Sequence, residues 1–240
     1  MSKAIYLDNC YLKEFESVVK SIKDGKYIVL EETAFYPSGG GQPHDTGIMI
    51  KDKDSYNVIY IGKFSGEISH EVDKEGLKPG DEVNCIINWD RRHKLMRMHT
   101  AAHILSECIH RKTSALITGN QLDLNQSRID FNLENFDRAI IEECINNSNE
   151  IVQKKIPIKI YFLPREEALK IENISKLAKG LPEGIGEVRI VEIGNFDVQA
   201  DGGTHVKNTS EVGELIFINA ENKGKNNRRA YFSLKDESAS

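Results

Sequence analysis

Two histidines four positions apart, in Met98-His99-Thr100-Ala101-Ala102-His103, stand one turn apart on one face of a helix, so both imidazoles can reach the same ion. HxxxH by itself arises by chance on many helices. A second segment, Ala200-Asp201-Gly202-Gly203-Thr204-His205, adds a carboxylate and a third imidazole around two glycines, a backbone able to wrap closely about a bound group. Together His99, His103, His205 and Asp201 make a candidate donor set for zinc. A zinc peptidase helix would carry glutamate directly after its first histidine as general base; here that position is Thr100, which argues against peptidase chemistry of that type.

The elements that must position these residues are legible from periodicity. With Asp90 as N-cap, 91 to about 111 reads as a helix with Leu95, Met98, Ala102, Leu105 and Ile109 along one apolar stripe. His99 and His103 border that stripe. Before it, short β-rich runs at 27–30, 47–50, 56–61, 68–72 and 83–87, separated by turns, suggest a small antiparallel barrel. Between two of them lies Phe35-Tyr36-Pro37-Ser38-Gly39-Gly40-Gly41-Gln42-Pro43-His44-Asp45-Thr46-Gly47. Its triple glycine allows close backbone approach to a ligand, and Gln42 and Asp45 offer hydrogen bonds; a tight barrel turn is the alternative.

After the metal helix the pattern predicts strands at 127–133, 158–162, 187–192 and 212–218, with helices over 136–154 and from Pro164. Strands and helices do not alternate as repeated βαβ units, which favours an α+β sandwich with helices on one sheet face. The boundary is expected near Trp89-Asp90, giving an N-terminal barrel over 1–89 and an α+β domain over 90–240.

The net charge of −5 argues against a protein that coats nucleic acid non-specifically, though not against a local contact. The densest basic patch is Lys223, Lys225, Arg228 and Arg229, for which a solvated loop is the plain reading. Cys10, Cys85, Cys108 and Cys144 lack CxxC spacing, so they are expected to be buried thiols rather than disulfides or a thiolate zinc site. No run of eighteen apolar residues and no cleavable leader is evident, so a cytoplasmic protein without a membrane segment is expected.

The GGGQ loop with Asp45-Thr46-Gly47, the His99-to-His103 pair, Ser127-Arg128-Ile129-Asp130-Phe131, and Gly202-Gly203-Thr204-His205-Val206 followed by Thr209 and Glu211-Val212-Gly213 occur in a specific order and spacing. In that combination the chain resembles the editing domain of alanyl-tRNA synthetase and its free-standing AlaX relatives, particularly those called AlaX-M. The resemblance implies a barrel bearing the glycine loop joined to an editing domain that holds one zinc ion. It also implies hydrolysis of the ester in mischarged alanine tRNA, carrying serine and also glycine, with water as nucleophile. By the same resemblance Gly39, Gly40, Gly41, Gln42, Gly202, Gly203 and Thr204 contact substrate. Thr118, read as part of a loop after the metal helix, resembles the family's sensor of the serine hydroxyl. Apart from the resemblance, the basic patch is expected to contact tRNA. One departure is plain: the family's CGGTH reads Asp201-Gly202-Gly203-Thr204-His205, so Asp201 is either the fourth ligand or an orienting group. No protein partner and no oligomeric state is signalled. Two other readings stay open: a zinc-stabilised tRNA-binding module without catalysis, and a metal hydrolase of small esters or amides.

Overall fold

The computed structural model describes residues 2–133, 137–178, 180, 184, 186–224 and 227–235. The chain divides into two units, 1–95 and 96–240. In the first, strands β1 (Lys3–Ala4), β2 (Glu14–Lys23), β3 (Tyr27–Leu30), β4 (Glu32–Thr33), β5 (Gly47–Lys51), β6 (Asp54–Phe64), β7 (Glu67–Val72) and β8 (Glu82–Ile87) precede helix α1 (Trp89–Thr113), which runs on into the second unit. Six of them close an antiparallel barrel in the order β2-β3-β7-β6-β5-β8. The expected barrel is therefore present. β2, which the sequence reading did not pick out, is the strand that joins β3 to β8; its Phe15, Ser17 and Val19 alternate inward, as a half-buried strand requires.

The barrel interior is packed with Phe15, Val19, Ile28, Leu30, Phe35, Met49, Val58, Ile61, Val72, Val83 and Cys85 among others, all buried. Charged and titratable groups are buried in this unit as well. His70 is fully buried, with Nδ1–H donating to the Ile28 carbonyl at 2.9 Å and Nε2 accepting from the Thr33 hydroxyl at 2.9 Å. Arg92 and Asp45 are also buried completely, and both oxygens of Asp45 meet the guanidinium. Arg92 further donates to the carbonyls of Cys10 at 2.9 Å and Ala34 at 2.6 Å, while Asp45 accepts the Tyr36 amide at 2.6 Å. Asp45 thus organises the glycine-rich loop from inside rather than facing a ligand.

The start of α1 corrects the expected cap. Asn88, not Asp90, accepts the Arg91 amide through its side chain at 3.2 Å, and its carbonyl takes the Arg92 amide; Asp90 lies in the first turn, where its charge suits the helix dipole. From Met98 to Ile109 every residue is buried, so α1 carries buried positions on all sides, not one stripe.

The second unit holds β9 (Ile117–Gln121), β10 (Ser127–Phe131), α2 (Arg138–Gln153), β11 (Ile158–Pro164), the single turn α3 (Arg165–Ala168), β12 (Glu187–Ile193), β13 (Asp197–Ala200), β14 (Leu215–Asn222) and β15 (Arg228–Leu234). Its strands form two antiparallel sheets, β14-β15-β10-β9 and β11-β12-β13, confirming the α+β class. The helix expected from 136 begins at Arg138 with Asp137 as cap, its carboxylate accepting the Ala139 amide at 2.8 Å; Phe136 lies outside the described residues. α2 is tied to β14 through Asn149, whose side chain pairs with both backbone groups of Leu215. Among the described residues no helix is long and apolar enough to cross a membrane.

Candidate metal centre

His99 and His103 project from the buried middle of α1, while Asp201, Gly202, Gly203, Thr204 and His205 follow β13 directly. The fold brings the four sequence-predicted donors together: His99, His103, Asp201 and His205 each offer an atom within 4.8 Å of all the others. The three histidines turn Nε2 toward the Asp201 carboxylate, at 3.6 Å for His99, 3.9 Å for His103 and 3.0 Å for His205. Three imidazoles and one carboxylate in a shielded pocket are a set that could hold a metal ion.

The loop geometry explains the two glycines differently. Gly202 is exposed, and a Cβ there would meet nothing within 4 Å. At Gly203 a Cβ would fall 2.2 Å from His99 Cε1 and 2.3 Å from Nδ1, so only glycine lets the loop lie against that ring. Asp201 is fixed by accepting the Gly203 amide at 2.6 Å through Oδ1, and its carbonyl accepts from Arg189 at 2.8 Å. Thr100, in the place where a peptidase has its glutamate, accepts the Val206 amide at 3.3 Å and stands 3.2 Å from His205 Nδ1. With Nδ1–H donated to that hydroxyl, the Nε2 lone pair of His205 is left for a ligand.

Burial depresses the His99 imidazole to about 4, with Asp201 opposing. His205 is likewise held well below its ordinary value by burial and by the neighbouring His99. For His103 burial is outweighed by the carboxylates of Asp197 and Asp201, which raise it to about 9. Asp201 stays ionised despite burial because three imidazoles surround it. The cluster thus sets an imidazole whose proton is held by two carboxylates beside two imidazoles that burial keeps neutral.

Residues behind the donors were not picked out from the sequence. Asp197 lies 3.5 Å from His103 Nδ1, and Lys176 and Gln199 bind Asp197 in turn. The signal was available in Asp197-Val198-Gln199-Ala200-Asp201, whose alternation puts Asp197 and Gln199 on one strand face with Asp201 just past its end. Lys176, from an irregular segment, had none.

The other predicted residues lie elsewhere in the fold. Gly39-Gly40-Gly41-Gln42 belongs to the first unit and forms a tight turn in which Gly39 and Gln42 exchange backbone hydrogen bonds at 3.1 and 2.9 Å. Gly40 and Gly41 have φ of 59° and 86°, the primed-turn geometry that glycine allows. Gln42 is buried. Thr118 is in strand β9, not in a loop, because its backbone pairs into the sheet; it is exposed and donates to Asn227 Oδ1 at 3.3 Å. The basic patch is no freely solvated cluster. Arg228 is buried and ties the β14–β15 hairpin to Asn222 at 3.0 Å and the Gly224 carbonyl at 2.6 Å. Arg229 makes a two-pronged pair with Asp130, at 2.6 and 2.8 Å. Lys223 pairs with Glu221 near the surface, and Lys225 lies outside the described residues. All four cysteines are buried and unbridged, as expected.

Comparison with known proteins places two family models on the chain: tRNA synthetases class II (A) over residues 3–91, and the threonyl and alanyl tRNA synthetase second additional domain over residues 188–231. The chain is 49% identical to an alanyl-tRNA editing protein AlaX-M of Methanosarcina barkeri, over 98% of this chain and all of the relative. It is 48% identical to an AlaX-M protein of Saccharolobus solfataricus over the same shares. A match to an alanine–tRNA ligase of Pyrobaculum aerophilum, 38% identical, covers 90% of this chain but 25% of the ligase.

Proposed function

This chain belongs to the AlaX-M family of alanyl-tRNA editing proteins, and from that premise we propose that it deacylates mischarged alanine tRNA in trans, in the cytoplasm, with seryl- and also glycyl-tRNA of the alanine acceptor as substrates. The observation that carries this reading is that His99, His103, His205 and Asp201 each bring a donor atom within 4.8 Å of the others. The three histidines hold one zinc ion, with Asp201 as the fourth donor or as the group that orients it. Zinc bound there supplies Lewis-acid chemistry toward the ester or its attacking water, or anchors the substrate amino group.

The chain's own groups prepare that chemistry. Thr100 fixes the His205 ring, and Gly203 admits the His99 ring. Gly202, Gly203 and Thr204 present a backbone edge to the aminoacyl group, and its open side is at Gly202. The glycine turn Gly39-Gly40-Gly41-Gln42 contributes to binding the aminoacyl end, and Thr118 to sensing the serine hydroxyl. Lys223, Lys225, Arg228 and Arg229 are the basic residues that meet tRNA, with Arg228 shaping the β14–β15 hairpin from within. The barrel over 1–89 and the editing domain over 90–240 are the two functional parts.

Water as the nucleophile agrees with the state of the thiols. Burial pushes Cys85 and Cys108 above the usual thiol range and Cys144 up to about 11, so none is a thiolate at neutral pH.

The test is ester loss from seryl-, glycyl- and alanyl-tRNA of the alanine acceptor, with and without a zinc chelator. Chelator-sensitive loss from the first two and persistence of alanyl-tRNA are expected. A second reading is favoured by the same four-donor convergence, since structural zinc sites are closed by four protein ligands: a tRNA-binding module with no turnover. Tight tRNA binding with all three esters intact would establish it instead. Chelator-sensitive turnover of small esters without any RNA requirement would point to a general metal hydrolase.

A further inference from the structure

A buried polar circuit stands behind one of the histidines, and its geometry points to a role at the metal centre. We propose that Asp197, backed by Lys176 and Glu107, is a positioning residue that takes the Nδ1–H of His103 and so holds that ring with Nε2 toward the ion. The inference rests on the metal reading above.

His103 has its two ring nitrogens in different surroundings. Nε2 faces Asp201 at 3.9 Å, and Nδ1 faces Asp197 Oδ2 at 3.5 Å. Both groups are buried, the Asp197 side chain completely. His103 Nδ1 has no hydrogen-bond partner among the described residues, and the Asp197 carboxylate 3.5 Å away is the acceptor nearest to becoming one. A buried ring nitrogen without a partner is costly, so the carboxylate opposite it is the group that decides which nitrogen carries the proton.

Asp197 is itself held in place. Its Oδ2 accepts from Gln199 at 2.8 Å, and its Oδ1 is paired with Lys176. Lys176, also buried, reaches Glu107 Oε2 at 2.8 Å, and Glu107 Oε1 pairs with Arg111 at 2.5 Å. His99, His103, Glu107 and Arg111 follow one another at four-residue steps along one face of α1. The circuit therefore leaves α1 at His103, passes through β13, and returns to the same helix one turn later. Asp197, Lys176 and Glu107 are buried, and Arg111 closes the circuit from the surface with its side chain about half exposed.

A buried ionic circuit is weak evidence for stability, because desolvation cancels most of the attraction. Placed against a metal-binding histidine it has a specific use: a carboxylate on the far nitrogen sets tautomer and orientation, and removing such a partner costs roughly 10–100-fold in metal affinity.

The test uses the full chain loaded with zinc alone. In the unmodified protein, ¹⁵N spectra of His103 should show the proton on Nδ1 and zinc-shifted resonance at Nε2. Stoichiometric zinc with the proton on Nε2 overturns the inference. In Asp197→Asn, chelator competition should show a zinc dissociation constant raised roughly 10–100-fold, with the cobalt-substituted absorption spectrum shifted. An unchanged constant and spectrum in a folded Asp197→Asn protein overturns it as well. If the unmodified protein binds no zinc, the metal centre itself is refuted and this inference with it; the tautomer result separates the two.

Discussion

Gly203 and His99, 104 positions apart by their numbering, are in such close contact that a single added carbon on Gly203 would sit 2.2 Å from the imidazole. The loop after β13 is thereby seated on the metal helix, and the donor set depends on that seat. Gly203→Ala is expected to displace His99, abolish stoichiometric zinc and stop deacylation. Gly202→Ala, with open space around it, is expected to keep both. Metal content and ester loss measured on the two variants side by side check the difference.

Replacing His99, His103 or His205 with alanine should remove zinc and activity together, with a larger loss of affinity than the 10–100-fold typical of groups behind the ligands. Any of these variants that kept stoichiometric zinc and ordinary turnover would lose its assignment. Asp201→Cys should keep or tighten zinc binding, since a thiolate is a good donor for this ion. Undiminished affinity in Asp201→Ala would show that the carboxylate only orients its neighbours, through Gly203 and His205.

The Asp45–Arg92 pair is completely buried in the first unit. Removing one partner leaves the other charge without compensation, so Asp45→Asn or Arg92→Met should destabilise the barrel by about 3–5 kcal/mol. Urea unfolding followed at the barrel measures the effect, with Lys51→Ala, at the partly exposed pair with Asp81, expected to change it far less.

His70 makes the first unit sensitive to acid. Burial lowers its imidazole from 6.5 to about 4, so between those values the unfolded chain binds a proton that the folded chain does not. The His70 contribution to stability is complete above pH 6.5 and falls as pH drops toward 4, by about 3 kcal/mol in all. His70→Gln should be less stable at pH 7 yet show a flatter profile between pH 6.5 and 4. A wild-type profile with no slope in that window would refute the assignment.

Seryl-tRNA should be cleaved about 10⁴-fold faster than alanyl-tRNA, because alanine is smaller than serine and only a hydrogen bond to the hydroxyl can separate them. Thr118→Val should slow the serine reaction selectively. If single-turnover rates on serine are unchanged in that variant, the threonine hydroxyl is confined to its bond with Asn227, and another group reads the substrate.

What the sequence determined by itself was everything carried by neighbouring residues. Alternation over a few positions marked five of the six barrel strands, and two adjacent glycines marked a loop that must approach something closely. The four-residue step put His99 and His103 on one helix face, and the order of motifs tied them to Asp201 and His205. Tertiary structure decided the partners of charges, because a side chain's partner is chosen by packing across long separations. Asp45 looked like a ligand-facing carboxylate until Arg92, 47 residues on, was found against it. Arg229 looked like a solvated cation until Asp130, 99 residues away, took both prongs of its guanidinium. The circuit through Asp197, Lys176 and Glu107 joins a strand, an irregular segment and a helix. No local pattern encodes such a meeting, because desolvation favours it only once the intervening chain has folded and excluded water from all three.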